Sequence, residues 1–387
     1  MNSSAPKTPS VAIACGGTGG HLFPGIAVAE ELKKRGCRVS LLISPKEIDQ
    51  QAVKAAREME IFTLPAVGLQ NRNYLSFALS FWKSRQAAKD IFRTRKPDAV
   101  LAMGGFTAAP PILAAKTFRA KTFLHESNTI PGRANRFLAR FVDEAFVGFP
   151  ETKARLNAKK ISVAGTPVRP QFLEKKESPA TALGLEPNVP TVLVAGGSQG
   201  ASGLNQMILS ALPLLAGKNW QWLHLTGAND FEKVKSGYAA HGLKAVVKPF
   251  LAEMDLALGA ATVAVSRAGA SSLTEIAAMR LPSLLVPFPA AADNHQYFNA
   301  LAFEKTGAAK LLEQKNSTPE RVAAILTGMV VDENTRLQMQ SALAQWQSPR
   351  AAAQIAETIL EAIARQSAAK AKTCGCGHAH GHTSHAI

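Results

Sequence analysis

Two glycine-rich loops, each directly after a short apolar run, constrain the fold of this chain most. The first run covers residues 11–15 and leads into a loop at 16–20, and the second covers 192–195 and leads into 196–200. Each pattern predicts a buried strand, a tight turn and the start of a helix, because glycine tolerates the conformations such turns need. A helix N-terminus carries unpaired N–H groups and a partial positive charge, which favour a bound phosphate. The sequence therefore predicts an α/β chain with two Rossmann-like domains that face one nucleotide-linked substrate.

Length and charge narrow the class of protein. The 387 residues favour two domains, and a hydrophobic fraction of 47% is ample for two cores. The formal net charge of +16 indicates an acidic membrane surface or a pyrophosphate substrate, the alternative being a basic solvated surface. Nucleic-acid binding is disfavoured, because aromatic residues make up only 6% of the chain and no DNA- or RNA-binding signature occurs. Four unevenly placed cysteines favour a reducing cytosol, and no segment approaches the ~20 apolar residues of a membrane span.

Strand and helix patterns alternate in both halves, which predicts a parallel sheet in each, covered by helices on both faces. The segment 165–170, with two prolines, is a predicted hinge. The expected units are a disordered stretch at 1–10, domains at 11–165 and 170–348, a helix at 350–365 that packs back against the first domain, and a flexible tail at 366–387. Strands are predicted at 11–15, 39–43, 99–103, 122–125, 144–147, 161–163, 192–195, 221–225, 245–247, 262–265 and 283–286, with helices at 24–35, 318–331 and 333–346.

A nicotinamide-dependent dehydrogenase is the main alternative for a chain with such loops. Its fingerprint needs a third glycine after Gly17 and Gly19, where Leu22 stands instead. It also needs a carboxylate after the second strand, where residues 44–46 read Ser-Pro-Lys. The second loop misses the pattern as well, and no Gly-Lys-Ser/Thr typical of a P-loop occurs.

Six separate motifs occur in order within residues 10–365. They are Gly16-Gly17-Thr18-Gly19-Gly20-His21 with Pro24-Gly25, His125-Glu126 with Asn128, Gly165-Thr166-Pro167-Val168-Arg169, Gly196-Gly197-Ser198-Gln199-Gly200-Ala201, Ser266-Arg267-Ala268-Gly269-Ala270 with Thr274-Glu275, and Asn294-His295-Gln296 with Asn299-Ala300. Together they closely resemble the MurG family of N-acetylglucosaminyltransferases, within glycosyltransferase family 28. The resemblance implies the GT-B fold, with an active site in the cleft between two Rossmann-like domains.

The resemblance also implies a reaction. These enzymes transfer N-acetylglucosamine (GlcNAc) from UDP-GlcNAc, with inversion, to the C4 hydroxyl of the N-acetylmuramic acid of undecaprenyl-linked lipid I. The product is lipid II, used in peptidoglycan biosynthesis. The implied location is peripheral, on the cytoplasmic face of the inner membrane, with other cell-wall synthesis proteins as further candidate partners.

Donor binding is implied for residues in both domains. They are Thr18, Gly19, Gly20, Asn128, Arg169, Ser198, Leu251, Ala270, Ser271, Ser272, Leu273, Thr274, Glu275, His295 and Gln296. In the family pattern Glu275 accepts hydrogen bonds from the ribose hydroxyls, and the main chain at Leu251 reads the uracil edge. Ser198 and Arg169 hold the diphosphate, while Gln296 and His295 contact the transferred sugar. For Glu275 the alternative is a helix N-terminal charge favoured by the dipole.

Two residues are candidates for the general base. His21 follows the first glycine loop, and a neutral imidazole there could accept the proton of the C4 hydroxyl. Glu126, at the carboxyl end of a predicted strand, could do the same or bind the acceptor. No metal or other cofactor is expected, because a helix N-terminus and Arg169 would stabilise the leaving diphosphate.

A basic amphipathic segment opens at Tyr74. Leu75, Leu79 and Trp82 recur at helical spacing, and Lys83 begins a run of cations that extends to residue 96. This pattern is typical of docking on anionic lipid, the alternative being a helix whose apolar side faces the core.

The C-terminal tail is rich in metal-binding side chains. Cys374, Cys376, His378, His380 and His382 could chelate zinc, nickel or copper, the alternative being a disordered tail with adventitious affinity. Two other functions therefore stay open from the residues. One is another GT-B UDP-sugar transferase or a UDP-sugar epimerase, and the other is a non-enzymatic metal-handling protein.

Overall fold

The computed structural model describes residues 8–17, 19–46, 59–66, 74–174, 176–197 and 200–375. The strands are β1 Ser10–Ala14, β2 Arg38–Ile43, β3 Glu60–Thr63, β4 Ala99–Ala102, β5 Lys121–Glu126, β6 Glu144–Val147, β7 Ile161–Val163, β8 Thr191–Ala195, β9 Gln221–Leu225, β10 Ala245–Lys248, β11 Val263–Ser266, β12 Ser283–Leu285 and β13 Lys310–Leu311. The α-helices are α1 Gly19–Lys34, α2 Tyr74–Arg95, α3 Ala109–Thr117, α4 Arg133–Leu138, α5 Pro179–Ala182, α6 Ser202–Leu215, α7 Phe231–Ala240, α8 Met254–Ala260, α9 Ala270–Ala278, α10 His295–Lys305, α11 Pro319–Val331, α12 Glu333–Leu343 and α13 Ala351–Gly375.

The strands form two parallel sheets, which confirms the predicted fold class. Their orders are β3-β2-β1-β4-β5-β6-β7 and β10-β9-β8-β11-β12-β13. In each sheet the order reverses at one strand, β1 in the first and β8 in the second. The two glycine loops follow these strands. A crevice opens where the strand order reverses in such sheets, so both loops lie where a parallel sheet binds its ligand.

Each predicted strand is present within one residue of its expected bounds. Two strands at sheet edges, β3 and β13, are absent from the prediction. Strand β3 is largely exposed and β13 is only two residues long. Neither carries the continuous apolar run of the buried central strands, because only one side of an edge strand is paired.

Helix α1 begins at Gly19, five residues before the predicted start at residue 24. Pro24 favoured that later start, since proline suits the first helical turn. The helix instead starts inside the glycine loop, and its Gly25 packs closely against Cys15, the residue that follows β1. A Cβ atom on Gly25 would come within 2.4 Å of the Cys15 Cβ, so only glycine allows this packing. The helix N-terminus is therefore part of the loop itself.

The C-terminal helix α13 returns to the first sheet. Ile355, Ile359 and Ile363 join the core of that sheet, with Val11 and Leu41 among their neighbours. The helix continues to Gly375, so the prediction of a flexible segment from residue 366 is wrong for its first ten residues. Alanine and lysine, frequent between 366 and 373, are strong helix formers.

The N-terminal boundary also differs from the prediction. Ser10, expected in the disordered stretch at 1–10, is the first residue of β1. Its backbone N–H donates to the Asp98 carboxylate at 2.9 Å, which ties the start of the strand to the segment before β4. Residues 1–7 lie outside the described residues.

Two stretches of chain connect the sheets, at 165–170 and at 347–350. They touch each other, because a Cβ on Gly165 would fall 2.0 Å from the Ser348 Oγ. Gly165 has a φ of +77°, a conformation that other residues rarely adopt. The contact brings both connections, including the predicted hinge at 165–170, to one side of the molecule.

Candidate active site

The N-termini of helices α1 and α9 meet across the cleft between the two sheets. The Ser271 hydroxyl in the first turn of α9 donates to the Gly20 carbonyl oxygen in α1, at 3.2 Å. Within α9 the first backbone donor used is that of Leu273, which bonds to Gly269 at 3.0 Å. The N–H groups of the first three residues of α9 have no partner within the helix. Two positive helix ends therefore converge on one crevice, which suits a diphosphate.

Arg169 lies beside this crevice and joins the hinge to α9. Its Nη2 donates to the Glu275 Oε1 at 3.1 Å, and both side chains are largely buried. The guanidinium centre lies 4.4 Å from the Phe23 ring centroid and 4.8 Å from that of Phe172. Burial raises the pKa of Glu275, and the Arg169 charge opposes that rise. Glu275 is the sixth residue of α9, so the alternative that it is a helix-start charge is wrong.

His21 is enclosed by a pair of glycines after β4. A Cβ on Gly104 would lie 2.9 Å from the His21 Cε1, and one on Gly105 would lie 3.0 Å from its Cδ2. Both glycines have positive φ, at +107° and +75°. Because neither glycine has a side chain, the imidazole of His21 fits against them, beside the first glycine loop.

A second histidine, His125, is fully buried nearby. Its Nε2 donates to the Gly165 carbonyl at 3.0 Å, which leaves Nδ1 to accept from the Ser127 hydroxyl at 3.2 Å. Burial lowers the pKa of His125, and the neighbouring His21 lowers it further, against the opposing effects of the Gly165 bond and Glu126. His125 is therefore a neutral structural group that ties β5 to the hinge.

Glu126 is buried and uses both of its carboxylate oxygens within the protein. Oε1 accepts from the Asn128 backbone N–H at 2.8 Å and from its side-chain amide at 3.1 Å. Oε2 accepts from the Gly132 N–H at 2.9 Å and from the Asn135 amide at 2.8 Å. The carboxylate thus organises the loop at 127–132, and each of its oxygens already accepts two hydrogen bonds.

The residues expected to hold the transferred sugar stand at the start of α10. The Gln296 Oε1 accepts from the backbone N–H of Phe288 at 3.0 Å and of Ala268 at 3.3 Å. His295 donates from Nδ1 to the Ala292 carbonyl at 2.8 Å. Both side chains are thereby oriented by the loop between β12 and α10.

Two residues near the cleft have roles that the sequence did not assign. Asn299, in α10, is fully buried and bonds to Asn128 in the other lobe. Lys46 donates to the Gly17 carbonyl at 2.9 Å and lies 5.2 Å from the Phe106 ring. Lys46 follows β2, where a dehydrogenase would place a carboxylate. The sequence could have pointed to Asn299, because this residue belongs to the last of the six motifs. For Lys46 the only indication was that a lysine stands where a dehydrogenase would have a carboxylate.

Several expected donor-binding residues offer only their main chain. Leu251, Ala270 and Leu273 are buried in the core of the second sheet. The Thr274 hydroxyl donates to the Ala270 carbonyl within the helix. Ser272 is half-buried. Thr18 and Ser198 lie outside the described residues.

Three large apolar side chains in the first half of α2 face away from the core, whereas Ala88 and Phe92 in its second half are buried. Leu75 is 81% exposed, Leu79 62% and Trp82 61%, and Lys83 beside them is exposed too. The alternative that these three side chains pack into the core is therefore wrong. None of the helices that the structure describes is long and apolar enough to cross a membrane.

The expected metal site falls mostly beyond the described part of the chain. Cys374 belongs to the last turn of α13. Cys376, His378, His380 and His382 are outside the described residues. Within the ranges that the structure describes, no three His, Cys, Asp or Glu residues cluster as metal ligands would.

Two Rossmann-like lobes whose helix N-termini meet at one crevice define the GT-B class of nucleotide-sugar enzymes. Residues 11–147 match the N-terminal domain of glycosyltransferase family 28, and residues 191–355 match its C-terminal domain. The chain belongs to glycosyltransferase family 28.

Named relatives agree with this family. A UDP-N-acetylglucosamine–N-acetylmuramyl-(pentapeptide) pyrophosphoryl-undecaprenol N-acetylglucosamine transferase from Anaeromyxobacter sp. is 38% identical over 92% of this chain and 93% of its own. The enzyme of that name from Mesorhizobium japonicum is 37% identical over 92% and 96%. The crystal structure of Acinetobacter baumannii MurG superposes with a TM-score of 0.74 at 28% identity, covering 92% of this chain and all of that one. A UDP-GlcNAc 2-epimerase from Neisseria meningitidis has a TM-score of 0.70 at 17% identity, covering 91% of this chain and all of that one, a likeness of fold alone.

Proposed function

We propose that this chain transfers GlcNAc from UDP-GlcNAc to the C4 hydroxyl of N-acetylmuramic acid in lipid I and so forms lipid II. Family membership and the named relatives support this reaction. The observation that carries the assignment to this site is the meeting of α1 and α9, where Ser271 contacts Gly20 across the cleft. That contact brings the two glycosyltransferase domains together around one anion-binding crevice.

The second lobe holds the donor. Glu275 accepts hydrogen bonds from the ribose hydroxyls, and Arg169 moves from Glu275 towards the diphosphate when the nucleotide enters. Backbone N–H groups at the start of α9 face the phosphates, together with Ser198 of the second loop. Because the Gln296 Oε1 already accepts two backbone donors, its amide NH₂ group is the part that meets the sugar hydroxyls.

The first lobe presents the acceptor and removes its proton. The C4 oxygen attacks the anomeric carbon on the face opposite UDP, and the bond from that carbon to the β-phosphate oxygen breaks. The electron pair of that bond stays with UDP, where the helix ends and Arg169 stabilise the growing charge. His21 accepts the hydroxyl proton, because its imidazole lies beside the first glycine loop, whereas both oxygens of Glu126 already hold the loop at 127–132. One displacement inverts the anomeric configuration.

Acceptor binding takes place at a membrane surface. The exposed side chains of Leu75, Leu79 and Trp82 insert into the membrane–water interface. Lys83 and the other cations of α2 pair with the anionic headgroups. This orientation matches a substrate anchored by an undecaprenyl chain, on the cytoplasmic face of the membrane.

The test is transfer of radiolabelled GlcNAc from UDP-GlcNAc to a lipid I analogue, with and without EDTA. We expect a β-linked disaccharide product both with and without EDTA. Neither the removal of the hydroxyl proton nor the stabilisation of the departing UDP uses a metal in this mechanism. A parallel reaction without acceptor separates transfer from epimerisation. UDP-GlcNAc turnover that needs no acceptor, or transfer abolished by EDTA, would contradict the proposal.

A further inference from the structure

Side chains of the post-hinge segment (residues 169–174 and 176) contact the second lobe at three places. Phe172 is buried in the core of the second sheet. Arg169 donates to Glu275 in α9. The third contact is made to Asp255, in the first turn of α8. The segment that leaves the first lobe is therefore attached to two helices and to the core of the second lobe.

Asp255 is a buried carboxylate that uses both of its oxygens on the post-hinge segment. Its Oδ1 accepts from the Gln171 side-chain amide at 3.0 Å, and its Oδ2 lies 3.4 Å from the Lys176 Nζ. Only 7% of the Asp255 surface is exposed. A charge this far from water has to be compensated by its partners, so the loss of either side leaves a polar group without its bond.

Helix α8 has other contacts that hold it in the lobe. Ala257 and Leu258 of α8 pack into the core of the second sheet, and Leu251, before the helix, does so too. Both partners of the Asp255 carboxylate belong to the post-hinge segment. The carboxylate therefore fixes that segment on an already anchored helix.

The post-hinge segment carries Arg169, the cation expected to meet the donor diphosphate. The Arg169 Nε is buried and has no hydrogen-bond acceptor among the described residues, so one donor of the guanidinium is still unused. Burial raises the pKa of Glu275, the Arg169 charge opposes that rise, and the Asp255 charge adds to it. Asp255 is thus within electrostatic reach of the Arg169–Glu275 pair.

We propose that Asp255 is a positioning residue that holds the post-hinge segment on the second lobe while Arg169 exchanges Glu275 for the diphosphate. This inference rests on the proposed function. Once the ribose occupies the Glu275 carboxylate, Arg169 no longer attaches the segment to α9, and Asp255 keeps the Arg169 backbone in place. Arg169 then reaches the phosphates by a movement of its side chain. The loss of Asp255 therefore weakens the binding of the diphosphate but not that of uridine.

The experiment compares Asp255→Ala and Asp255→Asn with Glu232→Ala, a matched control that alters an exposed acid in the first turn of α7. Calorimetry measures the Kd of UDP, and displacement of UDP measures the Kd of uridine, which has no phosphate. For Asp255→Ala we expect a UDP Kd raised about tenfold and a uridine Kd within about twofold of the unaltered protein. Asparagine keeps an oxygen acceptor for Gln171, so Asp255→Asn should raise the UDP Kd by about threefold at most. Glu232→Ala should change neither Kd.

A double variant separates an effect through Arg169 from a general effect on the lobe. Arg169→Ala alone should raise the UDP Kd. Adding Asp255→Ala should raise it no further, because the side chain that Asp255 positions is gone. Additive effects in the double variant, equal weakening of UDP and uridine, or an unchanged UDP Kd in Asp255→Ala would each overturn the inference.

Gln171→Leu keeps the test valid if Asp255→Ala does not fold, because it removes the same hydrogen bond from the other side. It should raise the UDP Kd several-fold with uridine affinity retained, and an unchanged UDP Kd would count against the role. An unaltered protein that binds UDP but transfers no GlcNAc would contradict the proposed function and leave the Asp255 result valid. An unaltered protein that does not bind UDP would overturn both.

Discussion

At the scale of single residues, the two candidate bases differ in their surroundings. Glu126 holds its loop through four hydrogen bonds, two to each oxygen. His21 lies between glycines that shape a space for its ring. A catalytic base must exchange a proton during the reaction, whereas a structural carboxylate must keep its bonds. The two residues should therefore respond differently to substitution.

We expect His21→Ala to lower kcat by about 10²- to 10⁴-fold with little change in stability. Glu126→Ala should instead lower the free energy of unfolding by about 1–3 kcal/mol, because buried N–H donors lose their acceptor. Urea denaturation and transfer kinetics on both variants check these effects. A stable Glu126→Ala protein with kcat as low as that of His21→Ala would assign the base to Glu126.

A second residue-scale effect concerns His224 in β9. The side chain is buried, with Nδ1 beside the Tyr238 hydroxyl at 3.1 Å and Nε2 beside the Asn205 Oδ1 at 3.0 Å. Burial lowers the pKa of His224 from 6.5 to about 3. The folded protein keeps this ring neutral at a pH where the unfolded chain protonates it.

This difference predicts acid sensitivity. Between pH 6.5 and about 3 the unfolded state binds one proton more at His224, so the free energy of unfolding falls as the pH falls, by at most about 1.4 kcal/mol per unit. His224→Gln keeps an amide donor towards Asn205 but cannot titrate. Urea denaturation at pH 7, 6 and 5 should show a smaller loss for the variant. Equal losses would show that His224 does not contribute.

At the scale of elements, α2 has an exposed apolar stripe on a basic helix. Leu75, Leu79 and Trp82 are each more than half exposed, and Arg93 near the far end is 62% exposed in its side chain. A stripe that faces away from the core gains nothing from folding. Its burial in a lipid interface would release the water that it orders.

We expect the double substitution of Leu79→Ser and Trp82→Ser to weaken binding to phosphatidylglycerol vesicles at least tenfold, as vesicle sedimentation would measure. UDP affinity should not change. Leu337→Ser is the matched control, since Leu337 is 53% exposed on α12 of the other lobe. Raising the salt concentration should also release the unaltered protein. Binding that is equal for all three proteins would exclude α2 as the contact.

At the scale of the whole molecule, the first lobe is built from two separate parts of the sequence, one before and one after the second lobe. Helix α13 comes last in the sequence but completes the core of the first sheet. Segments from both sides of the second lobe in the sequence therefore build the first lobe, and the second lobe is inserted between them. This arrangement brings both connections together on one side of the molecule, where Gly165 lies against Ser348.

Ile359→Ala should lower the free energy of unfolding by about 2–5 kcal/mol, because Ile359 is fully buried against the first sheet. Hydrogen exchange should show lost protection in β1 and β4 but not in β8 and β11. Glu361→Ala, an exposed residue of the same helix, is the control and should change stability little. Protection lost equally in both sheets would show that the lobes unfold as one unit.

Local patterns were enough to predict both sheets, the helix that follows each glycine loop and the family. A buried parallel strand is a continuous apolar run, and a glycine loop is a contiguous motif, so each can be recognised from adjacent residues. The edge strands β3 and β13 lack such a run, and the start of α1 depended on a close contact between Gly25 and Cys15.

The sequence by itself determined the architecture and, through its six motifs, the family and a set of candidate site residues. Only the tertiary structure decided how these residues pair: Arg169 with Glu275, Asn299 with Asn128, and Glu126 with its own loop. The physical reason is distance along the chain. Arg169 and Glu275 are 106 residues apart, and Asn299 and Asn128 are 171 apart, so no local pattern relates one partner to the other.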